Sequence, residues 1–108
     1  MQRFRVRLTK RALADLEQIH RDISKDSQRN ASLVLERILV AIDLLEIFPH
    51  RTVVERQSPS LAHPVRSLPV KPYVIYFRVI DIEQIVVIRH IRHGARQKPD
   101  DIELDSED

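Results

Sequence analysis

The amino-acid sequence predicts an α+β domain with the element order β-α-α-β-β-β, in which an antiparallel helical hairpin packs on one face of a small, mostly antiparallel sheet. Three observations support this prediction. The chain opens on a segment of strict two-residue alternation, continues with two segments of helical periodicity, and then has three short apolar segments separated by turn residues. Its 108 residues are enough for one domain with one hydrophobic core.

A change of period separates the first strand from the first helix. Residues 3–8 read RFRVRL, which places three arginines on one face of a strand and three apolar side chains on the other. Thr9 is a typical N-cap residue, and a helix is predicted over about residues 10–25. Its apolar stripe consists of Ala12, Leu16, Ile19 and Ile23.

The second helix, predicted over residues 28–47, is apolar on more than one side. One face consists of Val34, Leu35, Ile38, Ile42 and Leu45. A second stripe consists of Leu33, Val40, Leu44 and Ile47. A helix with so wide an apolar arc is covered by more than one neighbour. Because only a few residues join the two helices, they are expected to form an antiparallel hairpin.

The remainder of the domain is predicted as a loop followed by three strands. Residues 50–64 contain two prolines and no periodic pattern, so we interpret them as a loop. Residues 81–84 are expected to form a tight hairpin, and Gly94 to supply a positive φ at the bend after the last strand. The strands are expected near residues 65–70, 73–80 and 85–91. The residues expected to be mostly buried are Phe4, Val6, Leu16, Ile19, Ile38, Ile42, Ile75, Phe77, Val87 and Ile91.

The net charge of +2 conceals an uneven distribution. Residues 100–108 contain six acidic residues and no basic one, which leaves 18 basic against 10 acidic residues in residues 1–99. We therefore divide the chain into a basic domain over residues 1–99 and an acidic C-terminal tail over residues 100–108, which we expect to be flexible. The basic domain favours an acidic or polyanionic partner.

Several classes of protein are excluded by composition. The chain has no cysteine, which excludes disulfides and thiolate metal sites, and its single glycine excludes a glycine-rich phosphate loop. No histidine spacing indicates a metal site, and no cofactor is expected. The longest apolar segment has five residues and the N-terminal segment MQRFRVRLTK lacks the features of a signal peptide, so we expect a cytoplasmic protein without a membrane partner.

Basic residues are concentrated near the end of the last predicted strand. Arg89, His90, Arg92, His93 and Arg96 lie within eight residues, and this clustering favours an anionic ligand or target, although the acidic tail of the same chain could also relieve the repulsion. Two interpretations are open for His93, which is either a general acid or base or a structural histidine at the strand end. Arg66 is either a ligand for phosphate or carboxylate, or a solvated strand residue.

Four segments of the chain resemble the RelE/ParE superfamily of toxins from bacterial type II toxin–antitoxin modules. They are FRVRLTKRALADLEQI, LLEIFP, RSLPVKPYVIYFRV and IVVIRHIRHGAR, which together extend over nearly all of residues 3–96. The resemblance implies the same β-α-α-β-β-β fold that the periodicity predicts.

The resemblance also implies one of two activities. RelE-like members cleave mRNA in the ribosomal A site, and ParE-like members inhibit DNA gyrase without known hydrolytic chemistry. Arg66 matches the phosphate-holding arginine of cleaving members, and His93 matches the catalytic histidine of one cleaving subgroup. However, Gly94 replaces the aromatic residue that follows this histidine, and residues 50–64 lack the lysine cluster of certain cleaving members. The segment RHGAR at residues 92–96 resembles the ending of ParE-like members.

The sequence therefore predicts a ParE-like toxin that binds gyrase and is neutralised by an antitoxin with an acidic C-terminal segment, with a toxin–antitoxin hetero-oligomer as the expected assembly. Whether the chain is an enzyme is left open. The alternatives are a RelE-like endoribonuclease with Arg66 and His93 as its catalytic candidates, and a non-toxic basic module that binds nucleic acid. The expected target-binding residues are Arg66, Arg89, Arg92, His93 and Arg96. The expected antitoxin-binding residues are Leu33, Val40, Leu44 and Ile47.

Overall fold

Two helices pack on a five-stranded open sheet in the computed structural model, which describes residues 3–57 and 61–94. The elements are β1 (Arg5–Leu8), α1 (Lys10–Ser24), α2 (Gln28–Leu44), a 3₁₀ turn (Pro49–Arg51), β2 (Val53–Arg56), β3 (Val65–Val70), β4 (Tyr73–Ile80) and β5 (Ile85–His93). The strand order is β1-β5-β4-β3-β2, with β1 parallel to β5 and every other pair antiparallel. The predicted α+β fold class is confirmed. The predicted domain boundary at residue 99 and the tail lie outside the described residues.

The structure corrects the interpretation of residues 50–64 as a loop. Residues Val53–Arg56 form the strand β2, which lies at the edge of the described sheet, pairs there with β3 and has an irregular register after Val54. Both of its valines are exposed, so no alternation between buried apolar and exposed polar residues marks the segment as a strand. An exposed edge strand of four residues leaves little signal in a sequence.

Hydroxyl side chains begin both helices. The Oγ1 atom of Thr9 accepts a hydrogen bond from the backbone N–H of Ala12 (3.1 Å), and the Oγ atom of Ser27 accepts one from Asn30 (3.1 Å). These contacts satisfy N–H groups that have no partner within a helix. Helix α2 ends at Leu44, three residues before the predicted end. No helix in the described part of the chain is long and apolar enough to span a membrane.

The hydrophobic core lies between the helical hairpin and one face of the sheet. Nine of the ten residues expected in the core are buried, and Val6 is half-buried and packs against it. A smaller cluster of Leu61, Val65 and Tyr76 forms a second patch of packing. The face of the sheet that the helices do not cover is called the open face below.

Two turns show different backbone requirements from those predicted. Gln84, at the end of the β4–β5 hairpin, has a φ of 54°. Gly94 has no positive φ, so that prediction is wrong. Instead, the Gly94 amide donates a 2.7 Å hydrogen bond to the carbonyl oxygen of Pro72, and a Cβ on Gly94 would lie 3.2 Å from this oxygen. Close approach of two backbones, rather than a left-handed conformation, accounts for glycine at this position.

Candidate functional site

The basic residues of β5 are distributed between two different cavities. Arg89 lines a cavity that also contains residues of β1 and β4, whereas Arg92 and His93 line a cleft beside α1. Arg96 lies outside the described residues. A cluster that is compact in sequence is therefore divided between two sites in the fold.

The cleft beside α1 has a volume of about 380 Å³ and holds His93, whose ring meets the ring of Tyr73 edge-to-face with centroids 5.6 Å apart. Arg11 and Arg92 also line this cleft. The Arg11 guanidinium lies 3.4 Å from the carboxylate of Asp15. Because Asp15 and Asp22 line the cleft together with the two arginines, it has no strong preference for anions.

A β-bulge in β5 connects this cleft to the first helix. In the β4–β5 register, Ile88 pairs with Phe77 and His90 with Tyr76, which leaves Arg89 as the additional residue. The Arg89 carbonyl accepts a hydrogen bond from the hydroxyl of Thr9 (3.3 Å). The imidazole Nδ1 of the buried His90 lies 3.6 Å from the carboxylate of Asp15. Helix α1 thus supplies polar partners to the irregular part of the strand.

Arg66 makes contacts that stabilise the chain locally. Its Nη1 atom donates to the carbonyl oxygens of Thr52 (3.0 Å) and His50 (3.4 Å), which ties β3 to the segment that leads into β2. In the register of the sheet, Arg66 lies opposite Phe77 and His93 lies opposite Tyr73. These β4 partners are four residues apart, or about 13 Å along the strand. The two nuclease candidates therefore lie in different parts of the molecule.

The cavity that Arg89 lines is on the open face of the sheet and has a volume of about 190 Å³. Arg7 and Arg78 line it as well, and the side chains of Arg78 and Arg89 are buried, with residue exposures of 6% and 7%. The sequence pattern placed Arg7 in a row of three arginines on one face of the first strand and did not single out Arg78. The available signal was the single charge of Arg78 within the apolar segment YVIYFRVI.

Apolar residues remain exposed on the helical hairpin. Leu33, Val40 and Leu44 of α2 are 48%, 55% and 55% exposed, and Ile47 is half-buried. A separate groove of about 430 Å³ runs between α1 and α2 and is lined by Leu13 and Leu39, among others. Exposed apolar surface of this extent on one element is typical of a partner-binding site.

Comparison with families of known proteins identifies the chain. Residues 6–98 match the model of the ParE toxin of the type II toxin–antitoxin system parDE. The chain belongs to the ParE toxin family. It is therefore the toxin of a type II toxin–antitoxin module, which confirms the resemblance found in its sequence and disfavours a non-toxic nucleic-acid-binding module. Comparison with curated proteins gives no match.

Solved structures of related toxins share the fold of this ParE-family toxin. A structure of the chromosomal ParDE system from P. aeruginosa is 20% identical, covers 83% of this chain and 95% of its own, and superposes with a TM-score of 0.68. The toxin–antitoxin complex RelBE2 from Mycobacterium tuberculosis is 25% identical, with coverage of 89% and 97% and a TM-score of 0.60. The archaeal RelE–RelB complex from Pyrococcus horikoshii OT3 is 15% identical, with coverage of 89% and 100% and a TM-score of 0.64.

The described residues of this ParE-family toxin contain no group of three histidine and acidic side chains arranged to hold a metal ion. Its polar sites are formed by arginine, aspartate, tyrosine and histidine from α1 and the sheet. Such sites can bind anions and form hydrogen bonds.

Proposed function

We propose that this toxin inhibits growth in the cytoplasm by binding DNA gyrase, without cleaving a nucleic acid, and that its cognate antitoxin blocks this activity. The observation that carries the proposal is the separation of Arg66 from His93, together with membership of the ParE family. The separation argues against cleavage of RNA, and membership of the ParE family favours gyrase as the target.

Cleavage of a phosphodiester requires a cation on the phosphate and an acid or base within hydrogen-bond reach of the reacting oxygens. Arg66 directs its guanidinium to two backbone carbonyls, and His93 packs against Tyr73 in the cleft beside α1. From these positions the two side chains cannot act on one phosphate group. This arrangement favours a toxin that acts by binding.

One observation favours the alternative of a ribosome-dependent endoribonuclease. The cleft beside α1 places the imidazole of His93 against the ring of Tyr73, with Arg11 and Arg92 in the same lining. These four side chains are an imidazole, a phenol and two guanidinium groups, of which that of Arg11 also contacts Asp15. In this alternative His93 remains the acid or base, and Arg11 and Arg92 take the phosphate-holding role that was expected of Arg66.

The antitoxin is proposed to bind the exposed apolar row of α2. Leu33, Val40 and Leu44 present their side chains to solvent, and Ile47 continues the row where the helix ends. An amphipathic segment whose apolar residues are spaced to match such a row would bury it. Because residues 1–99 carry 18 basic and 10 acidic residues, the segment is expected to be acidic.

The target can be tested by inducing the toxin in bacterial cells and measuring plasmid supercoiling and mRNA 5′ ends in the same culture. Loss of negative supercoiling with unchanged mRNA ends is expected, and purified toxin should inhibit supercoiling by purified gyrase. Co-expression of the antitoxin should restore growth and negative supercoiling in the cells, and purified antitoxin should relieve the inhibition of purified gyrase. New mRNA ends in phase with codons, with supercoiling unchanged, would replace this proposal with the endoribonuclease.

A further inference from the structure

We propose that the groove between α1 and α2 is a self-association site, in which the helical hairpin of a second copy of this chain packs against the first across a twofold axis. The groove has a volume of about 430 Å³, and four of its lining residues are leucines. It differs from the cleft that holds His93 and from the exposed row of α2. The proposal goes beyond the proposed function, because its partner is neither gyrase nor the antitoxin.

Apolar side chains form the floor of the groove and part of its rim. Leu16 is buried and Leu35 is half-buried, whereas Leu13 and Leu39 are 49% and 43% exposed. The two exposed leucines belong to different helices and line one groove because α1 and α2 pack side by side. Contact with a second apolar surface removes them from water, and this burial is favourable.

The groove lies on a different side of α2 from the exposed row to which the antitoxin is proposed to bind. Successive residues of an α-helix are about 100° apart around its axis, so Leu39 and Leu44 are separated by about 140°. The exposed side chains of Glu36 and Asp43 lie between them. One antitoxin helix that buries the row therefore leaves the groove open to another partner.

The charges beside the groove favour a second copy over the acidic segment of an antitoxin. Glu17 and Arg21 lie on its rim, one turn apart on α1, with 3.9 Å between their charged groups. Arg21 also donates to the side chain of Gln18 (3.0 Å), and all of these contacts are exposed. The carboxylates of Glu17 and Glu36 repel an acidic peptide here, whereas a second copy presents the same acid and the same base.

A twofold axis that crosses α1 at the level of Ile19 makes these charges complementary. Glu17 and Arg21 are each two positions from Ile19, so in two antiparallel copies of α1 the Glu17 of each copy lies opposite the Arg21 of the other. The interface then contains two identical ion pairs. The aliphatic stem of Arg21 provides further apolar cover for the leucines of the other copy.

The size of this face predicts a weak dimer. Parts of two helices supply fewer residues than the roughly 20–30 that each side of a standard protein–protein interface contains. We therefore expect a dissociation constant of about 10–100 µM. The toxin is then mainly monomeric when dilute and dimeric when concentrated.

Sedimentation velocity of the full-length toxin alone, from well below to well above this concentration range, measures the equilibrium. The sedimentation coefficient is expected to rise from that of a monomer to that of a dimer. Leu13→Asp should raise the dissociation constant about tenfold or more, because it places a carboxylate in an apolar contact. Leu44→Asp is the matched control, since it changes an exposed leucine outside the groove and should dimerise like the unmodified toxin.

Exchange of the two charges tests the twofold geometry. Glu17→Arg and Arg21→Glu each place like charges opposite one another in a homodimer, so each variant alone should be mainly monomeric. In an equimolar mixture, position 17 of one variant lies opposite an opposite charge at position 21 of the other. The mixture should therefore dimerise about as strongly as the unmodified toxin, while circular dichroism shows that each variant is folded.

A toxin that stays monomeric at the highest concentration, or a mixture no more associated than its two components, would overturn the proposal. Loss of the dimer in Leu44→Asp but not in Leu13→Asp would also overturn it, by placing the interface on the exposed row. A monomeric toxin whose binding to purified antitoxin is weakened by Leu13→Asp would assign the groove to the antitoxin instead. Neither gyrase activity nor growth is measured, so a failure here is distinguishable from a failure of the proposed function.

Discussion

The carboxylate of Asp15 in α1 accepts a hydrogen bond from the backbone N–H of Ile91 in β5, with 3.0 Å between Oδ2 and N, although 76 positions separate the two residues. Strand β1 ends at Leu8, which lies opposite Ile88, so the part of β5 after Ile88 has no described strand beside it on that side. The N-cap and the second turn of α1 supply hydrogen-bond partners there, since the Thr9 hydroxyl donates to the Arg89 carbonyl and the Asp15 carboxylate accepts from the Ile91 amide. The start of α1 thus stabilises the irregular part of β5.

Replacing Asp15 by alanine should lower the free energy of unfolding by about 1–3 kcal/mol, because the substitution deprives a partly buried backbone N–H of its acceptor. It also removes the ion pair with Arg11. Urea titration followed by circular dichroism measures the change. Glu17→Ala is the control on the same helix, since Glu17 is exposed and makes only a 3.9 Å contact with Arg21. Similar losses in the two variants would contradict a specific role for Asp15.

Replacing Gln84 by glycine should raise the free energy of unfolding by about 0.5–1 kcal/mol. Gln84 has a φ of 54°, a conformation that is strained for a residue with a Cβ and unstrained for glycine. The backbone carbonyl of Gln84, which accepts from the Arg5 amide at 2.9 Å, is kept. Thermal unfolding measures the stability of Gln84→Gly, with Glu83→Gly as the control. Glu83 has no positive φ, so its substitution by glycine should not stabilise the protein. A Gln84→Gly variant less stable than the parent would refute this explanation.

The variant His93→Ala should inhibit growth almost as strongly as the unmodified toxin if the toxin acts by binding gyrase. A general acid or base would instead contribute about 10²–10⁴-fold to a rate. Growth curves after induction, with toxin levels matched by immunoblot, measure the effect. Loss of toxicity with the fold and antitoxin binding intact would support the endoribonuclease.

Introducing a charge into the exposed row of α2 should weaken antitoxin binding. Val40→Asp or Leu44→Asp would place an unpaired carboxylate in an apolar contact and is expected to reduce affinity about tenfold or more. Calorimetric titration with the purified antitoxin measures this change in affinity. Ile82→Asp is the control, since Ile82 is 93% exposed in the β4–β5 turn and distant from α2. Unchanged affinity in both α2 variants would place the antitoxin elsewhere.

Deleting residues 100–108 should strengthen binding to an acidic partner. The deletion removes six acidic residues and no basic one, so it increases the positive charge of the toxin. The gain in affinity should be larger at low salt than at high salt, because exposed charges are screened as ionic strength rises. Titrations at two salt concentrations measure the difference. A deletion without effect at low salt would limit the tail to a role in solubility.

Local patterns in the sequence predicted most of the fold. The spacing of apolar residues located both helices and the central strands, and Thr9 marked the start of the first helix because a hydroxyl cap is a local interaction. Strand β2 was missed because its two valines are exposed, so its sequence lacks the alternation of buried and exposed residues that normally reveals a strand. It is held in the sheet by its pairing with β3. Gly94 was misinterpreted because its contact with Pro72 depends on how two distant segments meet.

The candidate sites were harder to predict because they depend on which strands become neighbours. Arg7 and Arg78 are far apart in the sequence, and only the register of β1, β5 and β4 places both opposite Val87. Conversely, Arg89 and His93 lie in the same strand, close together in the sequence, but line different cavities. The exposure of Val40 agrees with the second apolar stripe of α2, whereas its proposed role in antitoxin binding stays a prediction.

The parallel pairing of the first strand with the last has a consequence for how the toxin is made. Arg5 pairs with Ile85 and Leu8 with Ile88, so β1 acquires its neighbour in the described sheet when nearly all of the domain has left the ribosome. Closing so long a loop of chain is among the slower events in folding. The helical hairpin, built from local contacts, can form much earlier during translation. A nascent chain therefore presents its exposed apolar helix surface before its arginine-lined open face exists.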